Sequence, residues 1–250
     1  MKLKKIFLII CIFLCLLLLF PLLVSFKWFN INIHVFIENF KYYINSLMFS
    51  FISSIIAIIV SIPIAYTING FKFRFLKEIF KFLFTINIAI PDLIMGLLLL
   101  YVYGRNNLLL DIFHIKFIDT SLGIITAMLY ISIPYTINLI LLGFESTSKI
   151  LIDEAYALGS TEFQLIRYVY LPHIWKYILR AFIISMMYCI SAFGVIIVLA
   201  YYPLLLTTKI FQLFQQSDIV QAIQISYYLI ITSILLYVLN FILEWISVTK

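Results

Sequence analysis

Long apolar stretches separated by short polar ones dominate this chain, and the stretches have the length of membrane-crossing helices. A helix needs about 20 apolar residues to cross a hydrocarbon core roughly 30 Å thick. Six windows qualify, at about 6–26, 47–68, 82–103, 121–143, 177–200 and 223–247. The first follows Met1-Lys2-Leu3-Lys4-Lys5, the charged start of a signal peptide. Its apolar run is longer than a signal core and no small-x-small cleavage site follows, so it reads as an uncleaved span. Pro21, Pro63, Pro91 and Pro134 fall one to a span in the first four helices. In lipid such prolines are tolerated because neighbouring helices satisfy the freed carbonyl, and they read as kinks.

Composition agrees with the pattern. Of 250 residues 65% are apolar and 11% charged, and the mean hydropathy is +1.15. A water-soluble fold could not hide that much hydrocarbon behind so few charges, which excludes a soluble enzyme or a nucleic-acid binder. The net charge of +6 is explained by its distribution. With the N-terminus in the cytoplasm, the inner side holds Lys2, Lys4, Lys5, Lys72, Arg74, Lys77, Lys81, Lys149, Arg167, Lys176, Arg180 and Lys250. The outer side holds only Lys27, Lys41, Arg105, Lys116 and Lys209. The positive-inside rule therefore places both termini in the cytoplasm. Cys11, Cys15 and Cys189 sit in apolar runs without partners at metal spacing, so they imply neither a disulfide nor a metal site. His34, His114 and His173 are isolated loop residues, and Trp28, Tyr201 and Tyr202 fit an outer interfacial belt. The chain reads as one transmembrane domain, 1–250, with no soluble catalytic appendage.

The most polar stretch is the inner loop at about 144–176, which reads as two short helices. Ser148 is placed to cap a helix of about 149–158, and Gly159 supplies the left-handed residue that ends it. Ser160 can cap a second helix of about 161–170, with Glu162 in its first turn, and Pro172 follows. Such an elbow is too short to cross the bilayer. It is either an interfacial anchor or a docking surface on which Gly159 lets another backbone come close.

Asp153-Glu154-Ala155, three residues, Gly159, nine residues and Val169-Tyr170-Leu171-Pro172 resemble the EAA motif of ATP-binding cassette (ABC) importer permeases. That pattern is Glu-Ala-Ala, three residues, Gly, nine residues, Ile-x-Leu-Pro. Asp153 stands for the family Glu, Glu154 for the first Ala and Val169 for Ile. The resemblance implies an all-α integral membrane protein of six transmembrane helices, with the type I (MetI-like) permease architecture and a cytoplasmic coupling helix. It implies that Asp153, Glu154, Ala155, Leu158, Gly159, Leu171 and Pro172 seat the elbow in a groove of a separate ATPase dimer. The chemistry would belong to that partner, with ATP and magnesium bound there and no cofactor bound by this chain. Consistently, the chain has no phosphate loop of the Gly-x-x-x-x-Gly-Lys-Ser/Thr kind. The other implied partners are an extracytoplasmic substrate-binding protein, membrane lipid and a second permease copy in a homodimer. The implied location is a prokaryotic plasma (inner) membrane.

The resemblance covers most of residues 45–245. It runs through Asn45-Ser46-Leu47, Pro63-Ile64-Ala65-Tyr66, Pro91 to Gly96, Gly104, Gly123 and Ser132-Ile133-Pro134. Ser191-Ala192-Phe193-Gly194, Val198-Leu199-Ala200-Tyr201-Tyr202-Pro203 and Thr207-Thr208-Lys209-Ile210 are similar to the molybdate/tungstate branch. There a Ser-Glu-Phe-Gly element precedes Leu-Ala-Tyr-Tyr-Pro, whereas this chain has Ala192 in the acidic place. An oxyanion path calls for neutral donors, and Ser185, Ser191, Thr207 and Thr208 are the candidates near the fifth span. Asp92 pulls the other way. It lies about ten residues into the third span, roughly 15 Å deep at 1.5 Å per residue, where a carboxylate suggests a function. It would attract a polyamine, and Pro91-Asp92 also resembles polyamine permeases; the bland alternative is a bond to backbone beside the kink. The expected function is therefore oxyanion import. Sulfate, polyamine, thiamine or iron import (with a heterodimer in some cases) and a non-transport membrane scaffold are the alternatives.

Overall fold

The computed structural model describes residues 33–104 and 116–248, together with six helical positions between 13 and 24. The span expected at about 6–26 otherwise lies outside the described residues. Helix α1 (Ile33–Asn69) is followed by α2 (Arg74–Thr85), a short 3-10 turn (Ile86–Ala89) and α3 (Asp92–Tyr103). Then come α4 (Ser121–Ser146), α5 (Lys149–Ala157), α6 (Glu162–Leu165) and a π-turn (Ile166–Tyr170). Helices α7 (Leu171–Ser191), α8 (Gly194–Leu199), α9 (Leu206–Gln215) and α10 (Ile219–Val248) complete the order. Among the described residues, four helical stretches, or five if α2 and α3 make one bent span, are long and apolar enough to cross a membrane.

Helices α1, α4 and α7 form the centre of the bundle because their facing stripes are small. Ser46, Ser50, Ser53, Ser54, Ala57, Ser61 and Ala65 recur at helical spacing on α1, and all are buried. With lipid as the alternative neighbour, association depends on close backbone approach and hydroxyl contacts, which small residues provide. Ser61 shares a hydrogen bond with Thr136 of α4. Ser54 donates to Sγ of Cys189 on α7 at 3.9 Å, which accounts for that cysteine as a packing residue. Gly143 of α4 lies against the Tyr177 ring, where an added Cβ would meet Cγ at 2.9 Å.

Two spans differ from the sequence expectation. The window 82–103 is not one helix: α2 and α3 meet at a bend of 106°. Pro91 forces Ile90 into extended geometry (φ −88°, ψ 125°) and has no N–H to carry a ladder onward. The window 177–200 breaks as well. The helix starts at Leu171, six residues earlier than expected, and stops at Ser191, and a new helix begins at Gly194. Pro172 sits in the first turn of α7, where its missing N–H costs nothing, and the π-turn precedes it, with the Leu171 N–H donating to the Ile166 carbonyl. The remaining expected spans fall within α1, α4 and α10, of which α1 and α10 start earlier.

Contacts sort the connections onto two ends of the bundle. At one end Asn45 donates to the Leu204 carbonyl and the Leu206 N–H donates to Ser46. At the other, Lys77 pairs with Glu145 at 2.8 Å, and Tyr66 reaches Glu162. Loops 70–73 and 147–161 thus share an end, as alternating spans require.

Candidate functional site: elbow and polar path

The elbow begins where α4 ends, at Ser146. Ser148 occupies the N-cap position of α5 but its side chain makes no capping bond. Gly159 terminates the helix with φ +77°, the left-handed backbone that glycine adopts without a Cβ penalty. The Ser160 N–H then returns to the Ala155 carbonyl at 3.1 Å, and the Ser160 hydroxyl donates to the same oxygen at 2.6 Å. The cap of the second helix is Thr161, one residue later than expected. Its hydroxyl accepts from the Gln164 N–H at 3.3 Å, and its own N–H donates to Gln164 Oε1 at 2.9 Å. Ser160 was the better sequence candidate only because its commitment to the preceding helix cannot be read from residue type.

Glu162 fastens this elbow to the spans. Its carboxylate accepts from Tyr66 of α1 and, at 2.8 Å, from Tyr156 of α5. That hydrogen bond, with a smaller contribution from burial, raises the Tyr156 hydroxyl above its ordinary pKa. The Tyr66 ring packs edge-on to Phe144 and Tyr170, with centroids 5.7 Å away in both cases. Phe144 and Tyr170 are buried and also meet each other at 5.1 Å. The sequence expectation placed Glu162 in a first turn for its charge and missed this cross-chain role.

The residues expected to meet a partner divide by position, some on α5 and its tip and some at the start of α7. Leu158 is 88% exposed at the elbow tip, unusual for a leucine beside a polar loop. A Cβ added at Gly159 would meet nothing within 4 Å. Asp153 and Glu154 lie exposed on α5, with Ala155 half-buried beneath them. Leu171 and Pro172 instead begin α7 and set its exit from the elbow.

The expected path residues are brought together in part. Asp92 opens α3, and Gly194 opens α8 directly against it: a Cβ at Gly194 would meet the Leu93 N at 2.9 Å and the Asp92 Cβ at 3.0 Å. Two interrupted spans therefore meet at their helix starts, the arrangement that transporters use beside a pathway. Ser191 ends α7 beside this junction, and its hydroxyl donates to the Tyr188 carbonyl at 3.1 Å. Thr207 lines an apolar cavity of about 420 Å³ with Phe193, Phe211 and Ser226. Ser185 is fully buried on α7 and is not among the residues lining that cavity. Thr208 is buried too, its hydroxyl bridging the Leu205 N–H and carbonyl at 2.9 Å each. Asp119, which the sequence did not single out, adopts φ +52° and accepts from the N–H groups of Tyr201 (2.8 Å) and Tyr202 (3.3 Å). It pins the Leu199–Tyr202 stretch over the start of α4.

The family model for the binding-protein-dependent transport system inner membrane component matches residues 61–248. The chain is 28% identical over 204 residues to the molybdate/tungstate transport system permease protein WtpB of Methanocaldococcus jannaschii, covering 81% of this chain and 80% of that one. It is 27% identical over 137 residues to the probable sulfate transport system permease protein cysT of Chlorella vulgaris, about half the length of each. The crystal structure of a bacterial alginate ABC transporter, in complex with an alginate pentasaccharide-bound periplasmic protein, contains a chain of similar fold. That chain matches with a TM-score of 0.74 at 17% identity, covering 98% of this chain and 93% of that one.

Proposed function

This chain belongs to the family of binding-protein-dependent transport system inner membrane components, and from that premise we propose that it forms the pathway of an ATP-driven importer for molybdate or tungstate. As an ABC permease it is a transporter subunit and not itself an enzyme. In this reading two copies enclose the pathway, an external binding protein delivers the cargo, and a cytoplasmic ATPase dimer grips the elbow. Both termini face the cytoplasm, on the side where the basic residues gather. Hydrolysis of magnesium-bound ATP takes place on the partner, and no cofactor resides here.

The observation that carries the reading is the elbow tip. Leu158 projects beside an open, left-handed Gly159, while Glu162 ties the same segment to α1. Displacement of the tip by closing ATPase subunits would pass through Tyr66 and Tyr170 into the bundle. Packed interiors shift between discrete arrangements instead of deforming smoothly, so such a push can alternate access to the Asp92–Gly194 junction.

Oxyanion cargo is supported by relatives named for molybdate/tungstate and sulfate and by neutral hydroxyls along α7 and α9. Asp92 at the junction favours a second reading, a polycation such as a polyamine. Vesicles containing the permease, its ATPase and its binding protein decide between them. ATP-dependent uptake of tungstate, with spermidine not transported, is the expected result. Spermidine uptake without tungstate uptake would overturn the oxyanion reading and make Asp92 the leading cargo residue.

A further inference from the structure

Helix α2 holds 12 residues, about 18 Å at 1.5 Å per residue, too short for roughly 30 Å of hydrocarbon. It also points the wrong way, meeting α3 at 106°. Helix α3 runs along the bundle, with Met95 and Leu99 sharing a core with Ile124 and Met128 near the start of α4. Helix α2 sits at the opposite end of α4, where Lys77 pairs with Glu145 at 2.8 Å. It therefore lies across the elbow end of the bundle, and the crossing falls to residues 86–103.

Three faces wind round α2. Phe80 and Phe84 turn to α1, where they line a cavity of about 240 Å³ with Pro63, Ile64 and Ile68. Phe75, Phe82 and Leu83 make a second face, and are 74%, 60% and 56% exposed. Arg74, Lys77, Glu78 and Lys81 recur at three- and four-residue steps, which puts them on a third. Lys72 adjoins it in the preceding loop, so four basic residues stand against one acid. Glu145 takes Lys77, and among the described residues Lys72, Arg74 and Lys81 have no acidic partner.

Exposed phenylalanines and leucine beside exposed cations are what a helix lying in a membrane interface presents. Water disfavours the apolar face and hydrocarbon the basic one, so only the boundary between them suits both. Three spare cations there attract a surface of opposite sign, which anionic headgroup phosphates supply beside the acyl chains. We propose that α2 is an interfacial helix that docks on anionic phospholipid. Phe75, Phe82 and Leu83 lie among the acyl chains, and Lys72, Arg74 and Lys81 at the headgroups. The docking fixes the depth of the link 86–91, and so of the Asp92–Gly194 junction that follows it. It depends neither on the cargo nor on the ATPase.

The test uses the full-length permease in phosphatidylcholine vesicles, with Cys11, Cys15 and Cys189 replaced and a fluorophore attached at Phe82→Cys or at Glu78→Cys. Lipids carrying bromine in the acyl chains quench a fluorophore that lies among those chains. They are expected to quench the label at Phe82→Cys strongly and the label at Glu78→Cys weakly. Brominated phosphatidylglycerol should quench at Phe82→Cys more than brominated phosphatidylcholine at the same low mole fraction. Lys81→Gln should lower that preference about fivefold, the scale of one basic residue at an anionic surface. Lys72→Gln, Arg74→Gln and Lys81→Gln together should abolish it. The comparison of the two lipids needs no charge variant, so it decides the matter even where those variants fail to insert. Equal quenching by both lipids would overturn docking on anionic lipid. Weak quenching at both labelled positions would mean that a second copy or another protein covers the apolar face, and would overturn it as well.

Discussion

Gly159→Val is expected to abolish ATP-driven uptake while the protein remains in the membrane at its normal level. At φ +77° a β-branched residue is held in left-handed backbone, at a cost of about 1–3 kcal/mol. That is small beside the stability of a bundle anchored by α1, α4 and α7, so the spans persist. The elbow stays fastened by Glu162 and by Ile152, Ala155 and Leu165 against the core, and its tip changes shape. Among the described residues nothing lies within 4 Å of a Cβ added here, so on this account any further requirement for glycine comes from a partner. Gly159→Asn separates the two causes, because asparagine tolerates left-handed backbone. The partner-socket account expects the asparagine variant to remain poorly active; full uptake in it would mean that the glycine serves only to end α5.

The second large effect is expected at the Glu162 tie. Tyr66→Phe keeps the ring contacts with Phe144 and Tyr170 but removes the hydroxyl that reaches Glu162. Glu162→Ala removes the acceptor for both tyrosines. In both variants hydrolysis by the ATPase partner should continue while cargo moved per ATP falls about fivefold, the equivalent of one net hydrogen bond. Glu162→Gln retains one acceptor oxygen and should fall between. An unchanged ratio of transport to hydrolysis in Glu162→Ala would show that the movement travels along α7 alone. A loss of protein from the membrane in Tyr66→Phe would instead assign the hydroxyl to folding.

Most of the bundle was legible because hydrocarbon thickness is a strong ruler: windows 121–143 and 223–247 lie inside α4 and α10. The ruler failed where backbone conflicts with hydropathy. Pro91 divides an apolar run that length alone joins, and a scale of side-chain transfer does not register a missing N–H. The break at 192–193 has a tertiary cause, the meeting of Gly194 with Asp92 and Leu93, and nothing local announces it. The Gly159 turn was legible because left-handed backbone is nearly a glycine property. The capping residue slipped from Ser160 to Thr161 because both carry a hydroxyl able to accept at a helix start, and only the prior bond to Ala155 decides between them. Glu162 and Asp119 were illegible as ties for one reason: their partners lie 96 and 82 residues away in the chain.

The account stands on the elbow tip meeting a nucleotide-driven partner. Leu158→Cys, in a background with Cys11, Cys15 and Cys189 replaced, puts a reactive thiol on its most exposed large hydrophobic residue. Treatment of inside-out membrane vesicles with a short bifunctional reagent should join that thiol to the ATPase subunit, with a yield that changes when ATP is added. A thiol modified by an impermeant reagent from outside intact cells, and never joined to the ATPase, would contradict it.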